Sequence, residues 1–262
     1  MSVKSYLERL RNNSKPWEMV LWWLMRLIML AGAIESFVNA DKYEDKIRTM
    51  MIGNFFLTFG WEFFQLFPKR SLLRHLPAAA QDFTSVYIVL TAFLGAYINF
   101  YYTVWWWDTL LHFISGGLCV LAGYVFLKAY EQRDGKEIPT AVIVFSAFCA
   151  SFMFGTLWEC WEFSFDQFFG GDTQHWSLAL ATETKINHLI FQPAKEFMSE
   201  DWQARFALMD TMTDVVANTL GAVIGGIVLK IALRKNKRVQ SVNLVTQDKD
   251  TDETEIKEKA VV

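Results

Sequence analysis

Acidic side chains and one histidine stand inside some of the most apolar stretches of the sequence. A charged side chain in a membrane-spanning helix costs roughly 2.5 to 3.5 kcal/mol, so a group of them requires a reason. Carboxylates and imidazole together bind divalent cations and carry protons. The residues concerned are Asp108, His112, Glu159, Glu162, Asp166, Asp210, Asp214 and Asn218.

The spacing of these residues places them on single faces of three helices. At about 100° per residue, the first stripe (Asp108 to Gly116) and the third (Asp210 to Gly225) each cover about 80° of arc, and the second (Glu159 to Asp166) covers about 60°. All three stripes lie toward the same predicted end of their helices, so we expect them to face one another.

The residue types predict a cation site with acid–base chemistry. We expect Asp108, His112, Asp210 and Asp214 to hold a divalent cation such as Mg²⁺, Mn²⁺ or Zn²⁺, because carboxylate and imidazole are ligands for all three. His112 is either a ligand or a proton carrier, and Glu159 or Glu162 is the expected general base. Further polar residues of interest are Asn218, Asp166 and Glu62.

Simpler interpretations exist for several of these residues. Asp108 and Asp210 are each followed by threonine at an expected helix start, where aspartate is a good N-cap. The Gly221-x-x-x-Gly225 pattern is typical of a helix-packing face. Capping does not, however, account for three helices that carry polar stripes at the same end.

The elements that must position these side chains are apolar runs of spanning length. Of 262 residues, 53% are hydrophobic and 16% aromatic, above the roughly 45–50% apolar content of soluble domains. About 20 helical residues cover a hydrocarbon core of roughly 30 Å. We predict an all-α, polytopic transmembrane helical bundle with six spanning helices, at 17–38, 47–67, 82–102, 108–129, 140–165 and 211–233.

Lysine and arginine in the connecting segments predict the orientation. They concentrate before the first helix and after the second, fourth and sixth, which places both termini in the cytoplasm. The prediction therefore comprises a cytoplasmic segment 1–16, a transmembrane domain 17–233 with an outer loop at about 168–209, and a disordered cytoplasmic tail 234–262. We expect the protein in the plasma membrane of a bacterium, with the lipid bilayer as its surroundings.

The first apolar run has two interpretations. It follows basic residues and ends in Val38-Asn39-Ala40, which resembles a signal-peptide cleavage site. Its length and its charged residues Arg26 and Glu35 favour a retained helix.

A short internal match predicts repeats. Trp61-Glu62-Phe63 recurs as Trp161-Glu162-Phe163, so that helices one to three and four to six would be repeats of opposite orientation, as in many transporters.

Charge and cysteine content give no indication of a nucleic-acid-binding protein or of a cysteine-based metal or redox site. The net charge of −3 gives no reason to expect nucleic-acid binding. Cys119, Cys149 and Cys160 fall inside apolar runs without metal or redox spacing, and we expect them to be buried thiols.

The three polar runs also carry a family resemblance. Trp107-Asp108-Thr109-Leu110-Leu111-His112, Trp158-Glu159-Cys160-Trp161-Glu162 and the segment from Asp210 to Gly221 resemble the YjdF-type inner-membrane proteins of bacteria, over about residues 50–233. Asp108 with His112, Asp214 with Asn218 and Gly221, and Glu62 with Gln65 are similar to elements of the VanZ-like family. Neither resemblance implies a particular reaction.

Three functions are compatible with this sequence. The first is a cation-dependent membrane-embedded enzyme, a hydrolase or transferase, acting on a lipid-linked or envelope substrate. The second is a proton- or ion-coupled transporter, which needs a polar route from the outer cluster to the other side, where Glu62 and Arg26 lie. The third is a structural or accessory membrane protein whose polar stripes only join helices.

Overall fold

The computed structural model describes residues 8, 11, 14–43, 45–68, 71–170, 173–174 and 206–259, without the side chains of 46, 75, 132, 206 and 236–259. Every regular element in these ranges is helical. Five helices are long and apolar enough to cross a membrane: Pro16–Val38, Ala78–Tyr97, Trp107–Glu131, Thr140–Phe169 and Ala207–Lys235. The predicted all-α polytopic fold is thus confirmed.

The first three spanning elements form one group of helices. Helix α1 is Pro16–Val38, α2 is Asp45–Leu57, α3 is Gly60–Phe64, and α4 is Ala78–Ile88, which continues as a π-helix over Val89–Tyr97. A short 3-10 helix, Leu72–His75, precedes α4. Their common core lies between α1, α2 and α4 and includes Met29, Ala33, Met51, Ile88 and Ala92.

The second predicted spanning segment is broken, not continuous. Helix α2 ends at Leu57 and α3 begins at Gly60, and together they cover about the 20 residues that a crossing requires. Gln81 of α4 bridges the break, because its Nε2 donates to the Thr58 carbonyl and its Oε1 accepts from the Trp61 N–H at 2.9 Å. The prediction of one unbroken helix over 47–67 is wrong, since side chains from other helices replace the backbone bonds that such a helix would make.

The last three spanning elements form a second group. After the short helix α5 (Phe100–Thr103) come α6 (Trp107–Asp134), α7 (Thr140–Phe169) and α8 (Phe206–Lys259). Gly135 and Gly170 end α6 and α7 with φ near 66°, the left-handed conformation that glycine adopts without strain. The core of this group contains Val120, Ala147, Ala222 and Leu229, and α6 also contacts α4 of the first group.

The backbones of helices α6 and α8 are in direct contact. A Cβ on Gly221 would overlap the Phe113 carbonyl oxygen, and one on Gly225 would lie 3.0 Å from the Gly117 Cα. The Gly221-x-x-x-Gly225 motif is therefore a packing face, as its small-residue spacing indicates.

Helix α8 extends beyond the apolar run to Lys259, and the cytoplasmic, disordered tail at 234–262 stays a prediction.

The predicted burial of the three cysteines needs correction. The cysteines are free, but Cys119 is only partly buried and Cys149 and Cys160 are exposed. In a membrane protein an apolar helix face turned away from the bundle contacts lipid, so apolar surroundings in sequence do not imply burial between helices. Apart from Thr173 and Gln174, the predicted outer loop beyond α7 lies outside the described residues up to Phe206.

Candidate cation site

Three helices bring the predicted polar stripes to one place. His112 lies in the second turn of α6, Glu159 lies ten residues before the end of α7, and Asp214 lies in the third turn of α8. Each residue is buried, with 6%, 5% and 3% of its surface exposed, respectively. The convergence that the stripes predict is therefore present in the fold.

His112 is the centre of this cluster. Its Nε2 lies 3.7 Å from Asp108 Oδ1 and 3.9 Å from Asp214 Oδ2, and its Nδ1 lies 3.5 Å from Glu159 Oε1. One imidazole thus faces two carboxylates with one nitrogen and a third carboxylate with the other.

Asp108, His112 and Asp214 each offer a ligand atom, and these atoms lie within 4.8 Å of one another. Two carboxylate oxygens and one imidazole nitrogen form a donor set that suits Mn²⁺ or Zn²⁺, and Mg²⁺ with additional water. Asp108 is the member in contact with the exterior, since 20% of its side chain is exposed.

Glu159 is a buried acid without a cationic partner. Neither of its carboxylate oxygens makes a hydrogen bond of good geometry among the described residues. The Thr211 hydroxyl is the side-chain donor near it, and no lysine or arginine in these ranges pairs with it. Asp108 and Asp210 are the acids that act on it most strongly, and both repel its charge. Such a group requires a proton, a donor or a cation, because an isolated buried carboxylate is very unfavourable.

The capping interpretation fails for both aspartates. Helix α6 begins at Trp107 with no side-chain hydrogen bond at its N-cap, Trp106, so Asp108 lies inside the first turn. Helix α8 begins at Phe206, which places Asp210 in its second turn. Asp210 is also buried and acts on Glu159 and Asp214.

Two predicted residues of α7 have other partners. Glu162 accepts a hydrogen bond from Trp158 Nε1 at 2.8 Å. Asp166 accepts from the backbone N–H groups of Thr173 and Gln174, both at 2.8 Å, and so holds the turn after α7. Asp166 is thus a structural residue beside the cluster, whereas Glu162 lies close enough to Asp108 and Glu159 for repulsion.

Asn218 lies at the deeper end of the cluster. It follows Asp214 by one helical turn and is 4% exposed, and its Oδ1 has no hydrogen-bond partner among the described residues. A Cβ on Gly155 of α7 would overlap the Asn218 carboxamide, and one on Gly116 of α6 would overlap its backbone carbonyl. Gly155 therefore makes room for this side chain, and Gly116 makes room for the backbone that carries it.

Two tyrosines from the first group of helices lie near the cluster, and sequence reasoning missed them. The Tyr87 hydroxyl donates to the Leu111 carbonyl at 3.3 Å. Burial, and then the nearby Asp108 carboxylate, raise the pKa of Tyr101 well above its usual value, so its hydroxyl stays protonated. No local signal identifies them, because their proximity comes from the packing of α4 and α5 against α6.

Glu62 and Glu35 belong to other networks. Glu62 Oε2 accepts from Arg26 at 2.6 Å, and Arg26 also donates to the Thr58 carbonyl at 2.9 Å, beside the break between α2 and α3. Glu35 accepts hydrogen bonds from Tyr97 and from Asn39. Arg26 therefore pairs with Glu62, and Glu35 bonds within the first group of helices.

Together, the long apolar helices and the buried polar cluster define a multi-pass α-helical membrane protein. The chain belongs to the family described as "Predicted membrane protein (DUF2238)", whose profile matches residues 19–235. This is the family of the YjdF-type proteins, so that resemblance is confirmed, whereas the similarity to the VanZ-like family has no support from these comparisons.

One curated protein is similar to part of the chain. An uncharacterized protein of Thermotoga maritima is 30% identical over 94 residues, which are 36% of this chain and 47% of that protein. The chain thus matches about half of the length of this curated relative. No solved structure matches the chain significantly.

Proposed function

We propose that the protein is a membrane-embedded, cation-dependent hydrolase or transferase that acts on a lipid-linked or envelope substrate at the outer leaflet of a bacterial plasma membrane. The observation that carries the proposal is the buried set of Asp108, His112 and Asp214, whose ligand atoms lie within 4.8 Å. Two helices supply this set, and α7 adds Glu159 beside it.

The orientation of His112 supports a role as a cation ligand. Its Nε2 faces the two carboxylates of the site, and its Nδ1 faces Glu159. Metal-binding histidines commonly donate their other ring N–H to a carboxylate, which fixes the tautomer and the ring orientation. A bound divalent cation would polarise a substrate oxygen and lower the pKa of a water molecule.

Glu159 supplies the general base in this proposal. Its two oxygens are buried and make no hydrogen bond of good geometry among the described residues, so one can receive the Nδ1–H of His112 while the other takes a proton from an attacking water or hydroxyl group. Asp210 and Glu162 carry charge near the reacting groups and would position the substrate. The apolar helices exclude bulk water from the site, which strengthens each of these electrostatic interactions.

A proton- or ion-coupled transporter is the alternative from the same residues. It requires a route past the cluster toward the opposite end of the bundle. One turn below Asn218, Gly221 of α8 lies against the backbone of Phe113, which closes the interface of α6 and α8. This contact favours an enzyme with a one-sided site.

The test is the metal content and thermal stability of the purified protein with and without chelator. Asp214→Asn and His112→Ala should lose a bound cation and the stabilisation that it provides. Asp82→Asn is the matched control, since Asp82 is an acid of the first group that accepts a hydrogen bond from Trp22 Nε1 at 2.6 Å. Absence of any bound cation, with melting unaffected by chelator, would refute the cation-dependent enzyme and leave a proton-coupled transporter or an accessory protein.

A further inference from the structure

We infer that the site has a second cation position, one helical turn deeper in the bundle, formed by Glu159, Asp214 and the Asn218 carboxamide. The inference rests on the proposed cation site and extends it, with Asp214 shared between the two positions. When both cations are bound, Glu159 is a ligand and Glu162, the other expected base, takes the proton. The deeper position would be lined by oxygen atoms alone.

The first argument comes from unsatisfied buried atoms. Glu159 Oε1, Glu159 Oε2 and Asn218 Oδ1 are all buried and make no hydrogen bond of good geometry among the described residues. His112 Nδ1 and the Thr211 hydroxyl lie near the Glu159 carboxylate, but Asn218 Oδ1 has no such neighbour. Buried polar atoms nearly always have a partner, so this oxygen, one turn below the two carboxylates, indicates a ligand. A cation satisfies several oxygens at once, which a single proton does not.

The second argument comes from the layering of the three helices. His112 and Gly116, Glu159 and Gly155, and Asp214 and Asn218 are pairs separated by one turn on α6, α7 and α8. The layer of His112, Glu159 and Asp214 therefore lies directly above a layer in which two glycines surround one asparagine. Glycine at both positions leaves the Asn218 carboxamide as the side chain below Glu159 and Asp214.

The third argument comes from charge. At the outer position, Asp108, His112 and Asp214 share one cation, and His112 would be neutral as a ligand. The Glu159 carboxylate then has no positive neighbour among the described lysines and arginines. A second cation between Glu159 and Asp214 compensates this charge, and carboxylates commonly bridge two cations in binuclear hydrolase sites.

The ligand chemistry predicts which ion binds where. Two carboxylates and one carboxamide oxygen form a hard, all-oxygen set, which suits Mg²⁺, Mn²⁺ or Ca²⁺. The outer position adds an imidazole nitrogen and therefore accepts softer ions such as Zn²⁺ as well. Mn²⁺ is suited to both positions and is paramagnetic, so it is the probe of choice.

The experiment measures Mn²⁺ stoichiometry and electron paramagnetic resonance spectra of the full-length protein in detergent. Wild type should bind about two Mn²⁺ per chain and give the spectrum of an exchange-coupled pair. Asn218→Ala should retain only the outer ion, with an uncoupled spectrum, whereas Asn218→Asp should keep the coupled pair. Gly155→Ala should reproduce Asn218→Ala, because its methyl group displaces the carboxamide without changing a ligand.

Gly226→Ala is the matched control, since its new Cβ would meet only Val144 Cγ1, at 4.0 Å, and the coupled pair should persist. A single Mn²⁺ in wild type that is lost in His112→Ala but kept in Asn218→Ala refutes the second position and leaves the outer site intact. Loss of the ion in Asn218→Ala but not in His112→Ala refutes the outer site and supports the deeper position. Absence of bound Mn²⁺ refutes both.

Discussion

At the scale of single residues, two buried acids differ in whether the chain supplies a counter-ion for the carboxylate. Glu62 is neutralised within the chain by Arg26, whose Nη2 lies 2.6 Å away. Glu159 has no such partner in the described ranges, and His112 Nδ1 lies 3.5 Å from its Oε1. The first arrangement stabilises the fold and the second is available for a ligand.

The substitution Glu159→Gln should stabilise the cation-free protein by about 1 to 3 kcal/mol, because it removes a buried charge that Asp108 and Asp210 repel. In added Mn²⁺, wild type should be the more stable of the two proteins, since the amide binds the cation less well than the carboxylate. The measurement is the melting temperature in chelator and in Mn²⁺. Glu162→Gln, whose carboxylate already accepts from Trp158, should gain less, and a lower melting temperature for Glu159→Gln in chelator would contradict the explanation.

The substitution Arg26→Met should destabilise the protein by about 3 to 5 kcal/mol, because it leaves the Glu62 carboxylate buried without a counter-ion. The double variant Arg26→Met with Glu62→Met should recover most of this loss, since an apolar pair of similar volume replaces the ion pair. Reversible unfolding in mixed micelles measures both. Arg133→Met, which removes an exposed pair with Asp134, should change stability little; an equal loss there would show that the effect is not due to burial.

At the scale of helices, glycine positions decide which helix faces meet. At Phe113 and Gly221 the backbones of α6 and α8 are in contact. This close approach brings the polar stripes of these two helices near each other. In the first group, Gln81 replaces the backbone bonds lost between α2 and α3. Both features position polar side chains where an ideal apolar bundle would have none.

The substitution Gly221→Ala should destabilise the protein by at least about 1 to 3 kcal/mol, since its Cβ would overlap the Phe113 carbonyl and force α6 and α8 apart. Gly226→Ala, five residues further on the same helix, should be neutral or up to about 1 kcal/mol stabilising, because alanine favours a helix over glycine. Unfolding in mixed micelles compares the two. Equal effects would mean that α6 and α8 do not touch at Gly221.

At the scale of the whole molecule, the two groups of helices have partly similar layouts. Arg26, midway along α1, meets Glu62 at the end of the second segment, and His112, near the start of α6, meets Glu159 in the last third of α7. From the third helix of each group, Gln81 donates to the Thr58 carbonyl, which Arg26 also contacts, and Asp214 lies beside His112. This arrangement favours the predicted repeats, which would place the two clusters at opposite ends of the bundle.

The number of crossings is testable, because five helices are long and apolar enough to cross a membrane and α2 with α3 together cover the sixth predicted segment. We expect both termini on the cytoplasmic side, so that a fluorescent protein fused after Val262 and one inserted after Gly135 both fold and fluoresce, while alkaline phosphatase fused after Thr103 is active. An odd number of crossings would place the two termini on opposite sides. Active alkaline phosphatase after Val262, with a cytoplasmic N-terminus, would contradict six crossings.

The sequence by itself determined the properties that depend on local periodicity. Apolar runs predicted all five continuous spanning helices, and one-turn spacing predicted that His112, Glu159 and Asp214 each lie on a polar face. These predictions succeed because a helix fixes the direction of each side chain relative to its neighbours three and four residues away.

Only the tertiary structure decided which faces meet. The pairing of Arg26 with Glu62, the break bridged by Gln81, and the proximity of Tyr87 to α6 all join residues 20 or more positions apart. Such contacts depend on helix rotation and close approach, which glycines such as Gly116 and Gly155 permit and which no single helical period encodes. A hydrogen bond from a distant side chain can also replace a backbone bond, and for this reason the second spanning segment is broken where its own sequence predicts a continuous helix.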